Sequence, residues 1–389
     1  MKRWGIIGLS TMLLAGCNVF GGNDDSEEEP EVEITDESLS VIPSVPSEEN
    51  HYSSVLKDGT YLHGETRGYG VDTGMNRSNL DWFELGLEEV AKDTFDPGSY
   101  YFQEGQHLTR ETVGSWINRY DEEQNPDGFN PALGIDDDDA DLQESIDARK
   151  DNPIVLRNIL EHNYMQASDN GTYETEGIVI GLALNSVYSF TYEGNPASQE
   201  VSANQQESVG VDAAEQIVER IRNGASALDE DLSDVPIIVA LFSDKPSNEL
   251  NAGHFFMKGV FEPGQGGDWS NINQKHIHFP SSEANNEHQY DADRFSQFQS
   301  DIQDFFENHV GVVGRARYEE NQLAKVVVDI NIQYKGQAEV VALTQYAASK
   351  AEEYFDDVPV DIEIASMSGV IEGIVSHHPN ADPFIYITD

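Results

Sequence analysis

The hydrophobic and polar positions of this chain fall into three regimes. From Trp4 to Gly16 the residues form one short, mainly apolar run behind Lys2 and Arg3. It is well below the ~20 residues that a spanning helix needs, and predicts a secretory signal over 1–16 rather than a membrane span. From Asn18 to about Asn50 apolar residues thin out. Gly21-Gly22 leads into Asp24, Asp25, Glu27, Glu28, Glu29, Glu31 and Glu33, with Pro43 and Pro46 further on. Such a segment cannot build a core, so residues 17–51 are predicted to be a disordered acidic tether spanning on the order of 30 Å. From Tyr52 to Asp389 helical and strand periodicities are mixed, over a length that suits two domains.

Within that folded part the pattern repeats. Phe83, Leu87 and Val90, followed by Gln106 and Leu108, lie over Phe298, Ile302 and Phe305, followed by Asn321 and Leu323, without a gap. The i, i+4, i+7 spacing predicts an amphipathic helix in each copy. Downstream, and with gaps, an apolar strand (177–190; 324–334) precedes a helix (211–223; 338–355). Next come Val235-Pro236 and Val358-Pro359, each opening a strand, and a second strand after Gly253 or Gly369. Proline is tolerated at a strand's first residue. The expected fold class is therefore α+β, with two tandem related repeats of helix, strand, strand, helix, strand, strand. Their expected limits are 52–265 and 266–389, with an acidic insertion near 121–150 in the first.

Cys17 is the only cysteine in 389 residues and directly follows Leu14-Ala15-Gly16. That arrangement is a lipobox. Cleavage before Cys17 leaves a thiol for a diacylglyceryl group and an amine for an acyl chain such as palmitate. Two or more chains hold a protein durably, at about 0.8 kcal/mol per buried methylene. The expected location is the extracellular face of a cell membrane, with membrane lipid as the partner of acylated Cys17.

Charge narrows the other partners. Twenty-two basic against 72 acidic side chains give a net charge of −50. Such a surface repels nucleic acid and anionic headgroups, which require lysine and arginine patches. Self-repulsion of this size is relieved by salt, so the acidity reads as adaptation to saline or alkaline surroundings.

Candidate chemistry is sparse, and no cofactor is called for. His276 and His278 share one face of a predicted strand, with His288 beyond, yet no His-Glu-x-x-His helix or cysteine pair accompanies them. Ser54-Val55-Leu56-Lys57 has the Ser-x-x-Lys spacing of acyl enzymes, but neither Ser-Asp-Asn nor Lys-Thr-Gly follows. Asp136 to Asp139 with Asp141 could gather calcium. They fail the EF-hand pattern, because Asp141 stands where its glycine belongs, and a solvated mobile loop is expected instead. Aromatic and glycine-rich stretches around Tyr101, Glu104, Trp116, His254 and Trp269 are the candidate ligand-binding positions, although core packing and turn formation account for them equally well. An envelope hydrolase or metal-dependent enzyme, built on His254 with Glu65 or on the His276/His278 pair, is the alternative to a non-enzymatic binding module.

Several segments together resemble one family. They are Glu65-Thr66-Arg67-Gly68, Tyr100 to Leu108, Ser115-Trp116-Ile117-Asn118-Arg119, Gly128-Phe129-Asn130-Pro131, Gly253-His254-Phe255, Phe279-Pro280-Ser281, Gly336-Gln337-Ala338-Glu339 and Leu343-Thr344-Gln345-Tyr346. The chain is similar to the CamS sex-pheromone lipoproteins of low-GC Gram-positive bacteria, from about Tyr52 to the C-terminus. The resemblance implies two related repeats, and a hydrophobic heptapeptide released from the signal to act on plasmid-bearing cells. By position that peptide is Ser10-Thr11-Met12-Leu13-Leu14-Ala15-Gly16. It departs from the family's Ala-Ile-Phe-Ile-Leu-Ala-x at its first four positions. No catalytic residues come with the resemblance, and the partner of the folded part stays unidentified.

Overall fold

Strands in the two halves of the chain are buried in different ways. Every residue of Ile237–Asp244 is buried, whereas buried positions alternate with more exposed ones along Val360–Ser366. A strand buried on both faces needs cover on both sides of its sheet, and an alternating strand leaves one face to solvent. The computed structural model describes residues 40–41, 51–70 and 77–388, apart from 138, 169–171, 229, 247–248, 250, 306–309 and 334–335. All of these belong to one compact unit, 39–389.

The first half contains β1 (Ser40–Val41), β2 (Ser53–Ser54), β3 (Leu56–Lys57), α1 (Arg77–Lys92), β4 (Tyr101–Glu104), α2 (Arg110–Ile117), α3 (Leu142–Asp151), β5 (Leu156–Ala167) and β6 (Tyr173–Asn185). A separate hairpin of β7 (Val187–Tyr192) and β8 (Asn195–Glu200) follows, then α4 (Ala203–Arg222), β9 (Ile237–Asp244), β10 (His254–Phe261) and β11 (Asp268–Asn271). The second half contains β12 (Gln274–Phe279), α5 (Ser282–Glu287), α6 (Gln289–Asp304), β13 (Gly311–Glu319), β14 (Gln322–Ile332), α7 (Gln337–Tyr354), β15 (Val360–Ser366), β16 (Ile371–His377) and β17 (Phe384–Ile387). The fold is mixed α+β, with seven helices among the described residues. None of them is long and apolar enough to cross a membrane.

The first sheet runs β11-β10-β9-β6-β5-β4-β2 and the second β12-β13-β14-β15-β16-β17. From β4 to β11 and from β12 to β17 the pairings follow one scheme. All are antiparallel except a central parallel pair, β6 with β9 and β14 with β15. Each parallel pair is bridged by one helix, α4 or α7. Even the entry to each parallel strand corresponds. The Pro236 carbonyl accepts from Ile178 N at 3.1 Å, and the Pro359 carbonyl from Val326 N at 3.0 Å.

The element order corrects the sequence expectation. Helices α5 and α6 lie between β12 and β13, so their counterparts by position are α2 and α3, between β4 and β5. Helix α1, matched to α6 by its apolar spacing, precedes β4. Its Phe83, Leu87 and Val90 pack with Val179, Ala183, Ile238 and Phe242. On the other face of the same sheet, α2 and α4 pack with Ile178, Ile180 and Val239. Gly181 lets α1 approach, since a Cβ there would meet the Phe83 ring at 2.9 Å. The second sheet is covered on one face by α6 and α7. Strand β11, placed with the second repeat by the sequence, pairs with β10 in the first sheet.

Other expectations also shift. Ser40–Val41, inside the predicted tether, pairs with Leu56–Lys57. Ser54 and Lys57 lie in separate short strands, so no helical turn brings them together. The acidic insertion is structured. Asp141 caps α3 by accepting from Glu144 N, and Arg149 holds Asp137 in a two-pronged ion pair. The segments containing Trp116 and Asn130 lock together. Asn130, fully buried, donates to Ile117 O and Leu156 O at 2.7 Å each and accepts from Val155 N at 2.8 Å and Leu156 N at 3.0 Å.

Candidate functional site

With its apolar stripe committed to the first sheet, α1 turns Asp81, Trp82, Leu85, Glu88 and Glu89 toward the open face of the second. Across from them stand Arg315, Arg317, Lys325 and Val327, and the space between is a cleft of 450 Å³. Strand pairing assembles the basic side. Arg317 faces Lys325 and Arg315 faces Val327 across β13 and β14. Each cation has a carboxylate: Arg315 with Asp329 at 2.6 Å, Lys325 with Asp361 at 2.7 Å and Arg317 with Glu319 at 3.3 Å. One wall is therefore acidic and the other carries three of the chain's 22 basic residues.

The two halves are joined beside this cleft. Trp82 lies over the His276 ring with centroids 4.0 Å apart. His276 Nδ1 is 3.0 Å from Gly253 O, and Gly253 N donates to Asn79 Oδ1 at 2.7 Å. Asn79 donates in turn to Lys245 O at 2.6 Å and to Asp244, which is paired with Arg157 at 2.6 Å. Burial pushes the His276 pKa down to about 4. The ring is neutral, and its Nε2 has no hydrogen-bond partner.

Leu85 and Glu88 also border a second pocket, of 170 Å³, so the two form one groove along α1. This pocket is floored by Phe102, Glu104, Leu160 and His162 and closed by the loop from Tyr61 to Arg67. Glu104 holds the loop. It accepts from Tyr61 OH at 2.9 Å, Gly64 N at 2.7 Å and Arg67 Nη1 at 3.1 Å. Arg67 Nε also lies 3.8 Å from Glu84 Oε2. Glu161 holds the other side, accepting from His107 N at 3.0 Å, Leu108 N at 2.7 Å and Asn163 Nδ2 at 2.7 Å. Only glycine fits at position 105, where a Cβ would lie 2.4 Å from the Glu161 side chain. The Glu65-Thr66-Arg67-Gly68 and Tyr100 to Leu108 segments thus meet around one charged pocket.

Burial sets the electrostatics here. It raises the pKa of Glu84, against the opposing pull of Arg67, and lowers that of His162 to about 3. It also raises Tyr61, helped by the hydrogen bond to Glu104. Three polar atoms of residues lining the pocket have no hydrogen-bond partner: Thr66 Oγ1, Glu84 Oε1 and His162 Nδ1. All three atoms are closed off from solvent, so they lie behind the pocket wall and do not face its space.

Of the five candidate ligand-binding residues, Glu104 alone lines this groove. Tyr101 sits edge-on to Tyr173 at 4.9 Å. Trp116 is 3 % exposed. It belongs to the core, packed on Phe129 with the Arg220 guanidinium 5.3 Å from its ring, because the apolar stripe of α2 faces the sheet. Trp269 lies across Gly259 and against Phe261, covering the end of the first sheet. His254 opens β10, and burial lowers its pKa to about 4. Glu65 accepts from Arg110 N at 3.0 Å at the start of α2, and no hydrogen bond joins it to His254. No group of three or more His, Cys, Asp or Glu among the described residues is placed to hold a metal ion. Cys17 with its lipobox, and the peptide Ser10 to Gly16, lie outside the described residues.

The groove residues Trp82, Glu84, Leu85, His162, Arg315 and Lys325 were not singled out from the sequence. Two signals were there to find. Trp82 and Leu85 are apolar positions off the buried stripe of α1. Arg315, Arg317 and Lys325 are a local concentration of cations in a chain with few.

Comparison with known proteins agrees with this architecture. Residues 61–383 match the family model described as CamS sex pheromone cAM373 precursor. The crystal structure of a sex pheromone precursor from Lactobacillus salivarius subsp. salivarius UCC118 superposes with a TM-score of 0.78 at 28 % identity, over 90 % of this chain and 99 % of that one. The C-terminal domain of the sex pheromone staph-cAM373 precursor from Staphylococcus aureus superposes at 0.69 with 26 % identity, over 81 % and 98 %. No curated protein matched. With the family model extending over most of the folded unit, the chain belongs to the CamS family of sex pheromone precursors.

Proposed function

We propose that this protein is a membrane-anchored extracellular lipoprotein in two functional parts. The signal peptide releases Ser10 to Gly16 as a hydrophobic heptapeptide, and the folded unit, held by acylated Cys17, is a non-enzymatic binding module of two related repeats. Family membership and the Leu14-Ala15-Gly16-Cys17 lipobox support the first part. The observation that carries the second is the groove along α1. There the segments around Arg67 and Glu104 converge, and both halves of the fold contribute a wall. The cleft carries opposite charges on its two walls, with Trp82 and Leu85 between, and that suits a charged ligand of the cell envelope.

Mass spectrometry tests the processing. The membrane fraction should yield a mature chain beginning at Cys17 with a diacylglyceryl group on its thiol, and the culture supernatant a peptide of the sequence Ser10 to Gly16. A mature chain that retains residues before Cys17, or that lacks lipid, contradicts the reading.

A further inference from the structure

Two oppositely charged side chains stand on opposite walls of the larger cleft, each mostly buried and each without a hydrogen bond. Arg317, on β13, is 18 % exposed and Glu88, on α1, 24 %. The Arg317 Nε is closed off from solvent and lies 3.3 Å from Glu319, whereas Nη1 and Nη2 are open and form no hydrogen bond among the described residues. Glu88 forms none either, and the closest basic nitrogen is His51 Nδ1, 4.0 Å from its Oε1. Burial raises the pKa of Glu88, against the opposing pull of Lys92 and His51. The two side chains line one space and do not pair with each other.

Their surroundings limit what can satisfy both. The open nitrogens of Arg317 form an end-on fork that fits two oxygens of a carboxylate or a phosphate. Lys325 stands opposite Arg317 across the strands, and its ammonium has donors to spare beyond its contact with Asp361 at 2.7 Å. Between the walls, Trp82 leans on the His276 ring and Leu85 is 61 % exposed, which gives an apolar floor for a short alkyl linker. The volume of 450 Å³ falls within the ~300–1,000 Å³ of small-molecule sites.

Ligands of one charge fit less well. A simple anion would face Asp81, Glu88 and Glu89, in the field of a chain of net charge −50. A simple cation would face Arg315, Arg317 and Lys325. A neutral ligand would cover both unpaired charges and replace the hydration of neither. One molecule with a charge of each sign answers both walls at once.

We propose that the larger cleft binds a zwitterion, its oxyanion held by the fork of Arg317 with Lys325 and its ammonium group by Glu88, with an alkyl linker lying over Trp82 and Leu85. This rests on the reading of the α1 groove as a ligand site and names the chemistry of its ligand.

The test follows the indole N–H resonance of Trp82 in the full-length lipoprotein in detergent, at 0.15 M salt (about the physiological range). The probes are β-alanine, ε-aminocaproate and phosphoethanolamine, and caproate and n-hexylammonium carry the two charges singly. At least one probe should shift the resonance saturably, with an affinity about tenfold or more above either control. Phosphoethanolamine binding ahead of the amino acids assigns a phosphate head, and the reverse order a carboxylate. Arg317→Gln and Glu88→Gln should each weaken binding about tenfold or more, as expected for losing a charge-assisted hydrogen bond. Neither substitution removes a hydrogen bond of the free protein, so both should fold, and their denaturation midpoints check this. Arg317→Lys keeps the charge without the fork and should recover only part of the loss, which serves also if the Gln variant does not fold. Controls that bind as well as the zwitterions, or unchanged binding in either Gln variant, would overturn the proposal. So would a coupling of Arg317→Gln with Glu88→Gln in a double-mutant cycle of unfolding without ligand, because the two side chains would then satisfy each other. If no zwitterion shifts Trp82 while a cell-envelope extract still protects α1 from hydrogen exchange, the zwitterion assignment alone fails. If the extract protects nothing along α1, the groove itself is not the site.

Discussion

Asn130→Ala is expected to lower the free energy of unfolding by about 4 kcal/mol or more, among the largest effects of any single truncation in this fold. The side chain is completely buried and makes four hydrogen bonds to main-chain groups of Ile117, Val155 and Leu156. Alanine removes the partner of each of them at once. An unsatisfied buried polar group costs about 1–3 kcal/mol, and partial relaxation brings the sum toward the lower end. The loss extends beyond one loop, because Asn130 ties the end of α2 to the start of β5, where Trp116 and Ile117 meet the core. Denaturant titration measures it, as a fall in midpoint with little change in slope. A loss below about 1 kcal/mol would mean that the segment from Arg119 to Pro131 is held by something else.

Acid should act strongly through His276. Its folded pKa is about 4, against about 6.5 in an unfolded chain. Between those values the unfolded state takes up a proton that the folded state refuses, so stability falls as pH falls through that window. The cause is specific. Nδ1 faces the Gly253 carbonyl, while Nε2 is buried with no acceptor for the proton it would gain. From pH 7 to 4 the wild type should lose about 3 kcal/mol more than His276→Gln, in which that titration is absent. Comparing the two proteins cancels the carboxylates common to both, including Glu84 and Asp244, whose raised pKa values act in the opposite direction. Unfolding curves at several pH values read the difference directly. Parallel losses in the two proteins would show that His276 is not the acid-sensitive joint between the sheets.

Local features of the fold were legible in the sequence, and its pairings were not. The spacing of Phe83, Leu87 and Val90 gave α1 and its buried face, and the two Val-Pro pairs marked the entries to β9 and β15. The same spacing recurs in α6, however, and periodicity carries no information about which side of a sheet a helix covers. That is why α1 was equated with a helix that occupies a different place in the strand order. Strand β11 fell to the second half through the expected limit between 265 and 266, whereas the Gly264 to Gly267 turn carries β10 into its neighbour β11.

The site shows the same division. Glu104 stood out within a dense aromatic and glycine-rich segment. Its partners Tyr61, Gly64 and Arg67 are remote in sequence, and His162 reaches it only through the pairing of β4 with β5. The basic wall exists because Arg317 and Lys325 fall opposite each other across β13 and β14. Trp116 illustrates the reverse case. A tryptophan beside glycines suggested a groove, but the amphipathic stripe of α2 had already committed it to the core.

Hydrogen exchange of the lipid-anchored protein, with and without a soluble cell-envelope extract, tests most directly whether the α1 groove is where the folded unit binds. A groove ligand predicts slowed exchange in α1 around Leu85, in the loop from Gly64 to Arg67 and in β4, with other surfaces unchanged. Protection confined to the outer strand Phe384–Ile387, whose Phe384 and Tyr386 are exposed, would place binding elsewhere and contradict it.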